Sequence, residues 1–162
     1  MIQGFSADGY IIDQDCFSAY RYRTMSSDIN GCGWIAAYNL QHALGQPADF
    51  DAVRAEMDAM FPLPAPGPTT MRVMRRYLDR HVPGYVLTVG RPAAAEEAAR
   101  SRAGILRYSE QRVPHFVAYV RGGDGRCRFF NVADGLEDFT EEMRRFVAVR
   151  CARGCLRAFT VR

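Results

Sequence analysis

The chain contains no lysine; all 21 basic residues among its 162 are arginine. Two readings fit: a GC-rich coding bias, which is the simpler, or escape from lysine modification in a host cell. Asn is almost as scarce, at positions 30, 39 and 131 only, and His occurs only at 42, 81 and 115. No apolar run approaches the roughly 20 residues that span a bilayer, so no membrane partner is expected. There is no basic tract, and a net charge of +3 is too small to argue for nucleic acid. Residues 1–8 have neither the basic region nor the apolar stretch of a secretory signal, and the expected location is cytoplasmic. The five cysteines, at 16, 32, 127, 151 and 155, are odd in number and lie in a chain of ordinary size, so no disulfide framework is expected. Cys151 and Cys155 have the spacing of one zinc-ligand pair, but no second pair of Cys or His matches them, so no metal or other cofactor is expected.

What is present is a globular composition, with 48% hydrophobic and 24% charged residues in a chain long enough to bury a core unaided. One domain over 1–162 is expected, with a lead-in at 1–24, a helical half at 26–83 and a sheet half at 84–162. In the lead-in, residues 9–12 read as a short strand. A helix begins near Cys32, with Asp28 or Asn30 as its N-cap, and stops near Gly45. It is apolar on most sides (Trp34, Ile35, Ala36, Ala37, Tyr38, Leu40), so it belongs inside a domain. A second helix spans 51–60. A proline-rich loop at 62–68 cannot be helical, and Thr69 or Thr70 caps a third helix with Val73, Met74, Tyr77 and Leu78 inward.

From residue 84 the pattern becomes strand-like at 85–89, 104–108, 115–120, 126–132 and 156–161. A short exposed helix is expected at 93–102 and another begins at 140–143. Helices first and an antiparallel sheet second give the α+β class.

The chemistry centres on Cys32. A thiol attacks a carbonyl only as thiolate, and a helix N-terminus stabilises that anion through its free N–H groups and its dipole. Cys32 sits at such a start between Gly31 and Gly33, glycines that leave room for a substrate backbone, with Trp34 beside them. His115 heads a strand after Pro114, where a fold presents a side chain rigidly, whereas His42 and His81 lie near helix ends. If the following hairpin turns about Gly123, His115 lies opposite Asn131, whose side chain could hold the ring in the tautomer that accepts the thiol proton. With a two-residue turn at Gly123 and Asp124, Asn131 falls opposite Phe116, and Asp134 becomes the rival third member. The Cys32 N–H is the natural first oxyanion donor, and a side chain upstream should be the second.

Cys32-Gly33-Trp34 opening a buried helix, His115-Phe116-Val117 opening a strand, and Asn131 or Asp134 beyond it resemble the papain-like cysteine peptidase superfamily. The short Cys-to-His interval is closer to the compact peptidase domains of bacteriocin-processing transporters, and Phe130-Asn131-Val132 is similar to the Josephin-type ubiquitin proteases. The resemblance covers about residues 26–135. It implies a cleft between a helical half and a sheet half, with Cys32 as nucleophile, His115 as base and Asn131 as orienter. Where that superfamily carries an upstream oxyanion Gln, this chain has Ser27 and Ser26, so Asn30, either serine, or Gln14 folding back would have to serve.

The leading expectation is hydrolysis of a peptide or isopeptide amide in a peptide or protein substrate, through an acyl-thioenzyme. The alternatives are transfer of the acyl group to an amine, as in a thiol acyltransferase or transglutaminase, and a domain that only binds a peptide.

Overall fold

A computed structural model describes residues 3–46, 48–110, 113–132, 136–152 and 154–162. After a 3-10 turn at Gln14–Phe17 come two short paired strands, β1 (Arg21–Tyr22) and β2 (Met25–Ser26). A one-turn helix α1 (Ser27–Asn30) leads through Gly31 into α2 (Cys32–Ala43). The expected N-caps are therefore absent: Asp28 and Asn30 belong to α1, and Gly31 occupies the cap position of α2 without a side-chain bond. α2 is buried from Cys32 through Gln41, because its residues are apolar or small on every side.

α3 (Phe50–Ala59) starts at Asp49, whose carboxylate accepts the Ala52 N–H at 2.8 Å. α4 (Met71–His81) starts at Thr70 and turns Val73, Met74, Tyr77 and Leu78 inward, as their spacing predicts.

The second half builds a six-stranded antiparallel sheet from β3 (Val86–Val89), β4 (Ala103–Glu110), β5 (Val113–Arg121), β6 (Cys127–Val132), β7 (Leu136–Glu141) and β8 (Arg157–Val161). Its order is β3-β8-β4-β5-β6-β7, so the last strand of the chain lies inside the sheet. With α1 to α4 preceding it, this is the α+β class that the pattern predicts.

The strand pattern does not anticipate β7, which takes in Thr140 and Glu141, so the helix expected to begin at 140–143 starts only at Met143. Two further details differ from expectation. The helix α5 (Arg91–Arg100) is not an exposed element, because Ala94 and Ala98 are fully buried and Ala95 nearly so. Together with α6 (Met143–Arg150) it covers the face of the sheet opposite α2. Strand alternation makes this a three-layer arrangement. Ile105, Phe116, Ala118, Phe130 and Phe159 pack toward α2, while Leu106, Val117, Tyr119, Phe129 and Ala158 pack toward α5 and α6. The expected strand at 9–12 is only an isolated bridge between Phe5 and Ile11.

The lead-in is nonetheless built into the core. Ile11 is fully buried, its N–H and C=O both bonded at 2.8 Å by the side-chain amide of Asn39 on α2. Tyr10 stacks on Phe130 at 3.9 Å, and Arg128 bridges Asp8 and Asp138, each at 2.6 Å. Replacing Asn39 by Ala leaves two buried backbone groups of Ile11 without partners. Asn39→Ala should therefore cost about 2 kcal/mol in urea unfolding, and amide exchange should speed up selectively through the lead-in. An unchanged exchange pattern would show that this amide does not hold the segment.

Candidate functional site

The interruption at Gly31 gives Cys32 the helix start that the sequence implies. The first backbone bond of α2 runs from the Ile35 N–H to the Gly31 carbonyl at 3.1 Å, so the N–H groups of Cys32, Gly33 and Trp34 have no helical acceptor. The Gly33 N–H turns toward the Cys32 thiol. A second donor comes from the sheet. Pairing of β5 with β6 ends at Ala118 and Phe130, and the N–H of Phe116, beyond the last pair, also faces the thiol.

Asn131 is the reason the ladder ends there. Its φ of 60° is left-handed, a region that Asn tolerates better than most residues, and the ladder to β7 skips it as well. The hairpin register differs from both turns considered for the sequence. Arg121 pairs with Cys127 across a five-residue loop centred on Asp124, closed by the Gly122 N–H on the Arg126 carbonyl at 2.8 Å. His115 accordingly has no cross-strand partner in Asn131, yet the two meet. The His115 Nε2 lies 3.0 Å from the backbone carbonyl of Asn131. A carbonyl only accepts, so Nε2 carries the proton and Nδ1 holds the free electron pair of the neutral ring. The group that fixes the tautomer is thus the main chain of Asn131, not its side chain.

The side chain of Asn131 turns to Gln14. Its Oδ1 accepts the Gln14 N–H at 3.0 Å, and its Nδ2 donates to Gln14 Oε1 at 3.2 Å. Gln14 Nε2 in turn donates to the Asp28 carbonyl at 2.7 Å, one helical turn before Cys32. Of the upstream oxyanion candidates, Gln14 is therefore the one carried to the start of α2. Asn30 is committed elsewhere, since its Nδ2 donates to the carbonyls of Tyr22 (2.9 Å) and Gly67 (3.1 Å). The Ser27 hydroxyl is fully buried and accepts the Trp34 indole N–H at 3.2 Å, and Ser26 serves as the N-cap residue of α1.

Gly31, Gly33 and Trp34, expected from the sequence to border the substrate, are packing residues. Trp34 is fully buried. A Cβ on Gly33 would meet Thr69 Oγ1 at 2.0 Å, and one on Gly31 would meet the Ser27 carbonyl at 2.4 Å, so both glycines are required by close approach of the protein's own atoms. Asp134, the rival third member, lies outside the described residues. Sequence reasoning missed Tyr108, the cross-strand partner of His115, whose ring meets the imidazole edge-on at 5.8 Å. The strand pattern at 104–108 was the available signal, but it carried no register.

Electrostatically, Cys32 stands apart from the other thiols. Burial alone would raise its pKa, but hydrogen bonding and charge from His115, with the N–H groups of Phe116 and Gly33, outweigh burial and lower it. Burial pushes the Cys127 thiol up to about 11, and burial with the Asp13 carboxylate raises Cys16. Cys151 is buried beside Phe146 and Val147, while Cys155 is exposed. Among the described residues no group of three or more His, Cys, Asp or Glu is placed to hold a metal ion.

Iodoacetamide labelling of Cys32 should reach its half-maximal rate below pH 9.0, the value of an unperturbed thiol, and that midpoint should rise in His115→Ala. Cys127 should stay slow across the same range. A Cys32 profile that does not respond to His115→Ala would break the proposed pair. No family model matches the chain and no curated relative was found, so the functional reading rests on the geometry around Cys32, His115, Asn131 and Gln14.

Proposed function

We propose that the protein is a papain-like cysteine peptidase that hydrolyses a peptide or isopeptide amide through an acyl-thioenzyme. The observation that carries this reading is the buried thiol of Cys32 coupled to an imidazole whose far nitrogen is locked on the Asn131 carbonyl. In this reading Nδ1 of His115 takes the thiol proton, and the thiolate attacks the carbonyl carbon of the scissile amide. The resulting oxyanion is met by the Cys32 N–H. It is also met by the second Nε2 hydrogen of Gln14, the first being held by Asp28. The imidazolium then protonates the leaving amine, the C–N bond breaks, and the acyl group remains on sulfur. His115 next removes a proton from water, which attacks the thioester and releases the acid and the thiol.

The division of labour at Asn131 distinguishes this site from one in which a side chain orients the base. Removing the Asn131 side chain leaves the carbonyl that holds His115 but frees Gln14.

Cys32→Ala should abolish cleavage of a fluorogenic peptide library while preserving the thermal transition, and surviving turnover would overturn the nucleophile assignment. Gln14→Ala should lower kcat by about 10²–10³-fold without moving the pH profile of Cys32 labelling. Asn131→Gly, which keeps a free left-handed backbone, should match the Gln14→Ala loss. Asn131→Ala should be worse, because alanine is strained at a φ of 60°. Equal activity of the Gly and Ala variants would count against a backbone role.

A further inference from the structure

At the other end of β5 from His115 lies a second concentration of charge. Arg121 is six residues from His115, which at about 3.3 Å per residue places it about 20 Å away along the strand. A cleft of about 630 Å³ opens there, lined by Arg100, Arg102, Arg121, Arg162 and the side-chain-free rim of Gly122 and Gly123. Its volume falls within the usual range of small-molecule sites, roughly 300–1,000 Å³.

The fold itself forces these guanidinium groups together. The β4–β5 register ends at Ala103 and Val120, and the next rung sets Arg102 against Arg121, with the Arg121 N–H on the Arg102 carbonyl at 2.8 Å. The Arg102 N–H bonds the Val161 carbonyl at 2.9 Å, which brings Arg162 off the end of β8 beside them. Arg100, from the last turn of α5, completes the cluster. Like charges directly opposite on neighbouring strands repel, so a ligand-free protein holds this rung at a cost.

Compensation is partial. Glu97 accepts from Arg162 at 3.0 and 3.1 Å and so fixes its guanidinium in a forked geometry, while Glu96 lies 3.8 Å from Arg100. The nearby Asp124 carboxylate accepts the Arg126 N–H at 3.0 Å. Arg102 and Arg121 have no ion pair or side-chain hydrogen bond among the described residues.

We infer that this cleft binds a small ligand carrying two or more phosphate groups. Guanidinium forks match phosphate oxygens in pairs, and two uncompensated arginines beside two oriented ones call for a multiply charged anion instead of a single carboxylate. The ligand is either a soluble polyphosphorylated compound or the headgroup of a phosphoinositide at a lipid surface. The site is independent of the peptidase reading, since none of its residues touches Cys32 or His115.

The test is calorimetry and thermal denaturation of the whole chain with inorganic phosphate, pyrophosphate and tripolyphosphate, in wild type and in the double variant Arg102→Ala, Arg121→Ala. Tripolyphosphate should bind and raise the wild-type Tm, with inorganic phosphate at least about tenfold weaker. The double variant should bind tripolyphosphate at least about tenfold more weakly. Its ligand-free Tm should be equal to or above that of wild type, because a repulsion has been removed, which separates lost binding from lost folding. Absence of tripolyphosphate binding together with no retention on phosphoinositide vesicles would overturn the proposal. So would undiminished binding by the double variant, or poly-glutamate binding as tightly as tripolyphosphate. Sedimentation with phosphatidylcholine vesicles containing a phosphatidylinositol bisphosphate, but not with those containing phosphatidylserine, would identify the lipid source. Binding of the free anion alone would identify the soluble one.

Discussion

The left-handed turn of the chain at Asn131 is the constraint on which the site depends. It ends the pairing of β5 with β6 at Ala118 and Phe130. The Phe116 N–H, beyond that last pair, meets the Cys32 thiol instead. The same turn points one carbonyl at the His115 ring and one amide at Gln14. A regular strand at this position would spend its backbone groups on ladder bonds and supply none of these contacts. Strain of this kind persists only where surrounding contacts over-determine it, and the paired bonds to Gln14 are such contacts.

The three asparagines share a physical role. Asn30 holds the carbonyls of Tyr22 and Gly67, Asn39 holds both backbone groups of Ile11, and Asn131 holds both ends of Gln14. Each extends its side-chain amide to groups of a different segment, where irregular chain meets the core. Their joint effect is to bind the lead-in to α2 and to β6. Gln14 therefore reaches the start of α2 as part of the fold, which explains how a glutamine far from Cys32 in sequence comes to stand near it.

Charge is arranged differently at the two ends of the sheet. Around Cys32 a single imidazole and main-chain donors offset burial of the thiol, with no arginine in the arrangement. At the far end, arginines crowd one rung, and only some have carboxylate partners. Stabilising an anion by preorganised N–H dipoles suits a reacting centre. Exposed guanidinium groups suit reversible capture of an anion from solvent.

Much of the fold was legible because the relevant physics is local. The apolar α2, the Thr70 cap, the inward stripe of α4 and the strand-like runs all follow from periodicity and capping. Cys32 was legible because it sits at a helix start, and His115 because it lies near the beginning of a strand, two residues into β5. What sequence could not supply was register and layer. Alternation within a strand does not say where a five-residue loop centres, so the meeting of His115 with a carbonyl instead of an amide lay beyond it. Nor could it show that β8 inserts between β3 and β4, or that small alanines let α5 pack flat on the sheet's second face. The sequence by itself determined which segments are helix or strand and that a thiol at a helix start could ionise. Tertiary structure alone decided which glycines are packing and which glutamine reaches the site, because those outcomes depend on contacts between residues far apart in the chain.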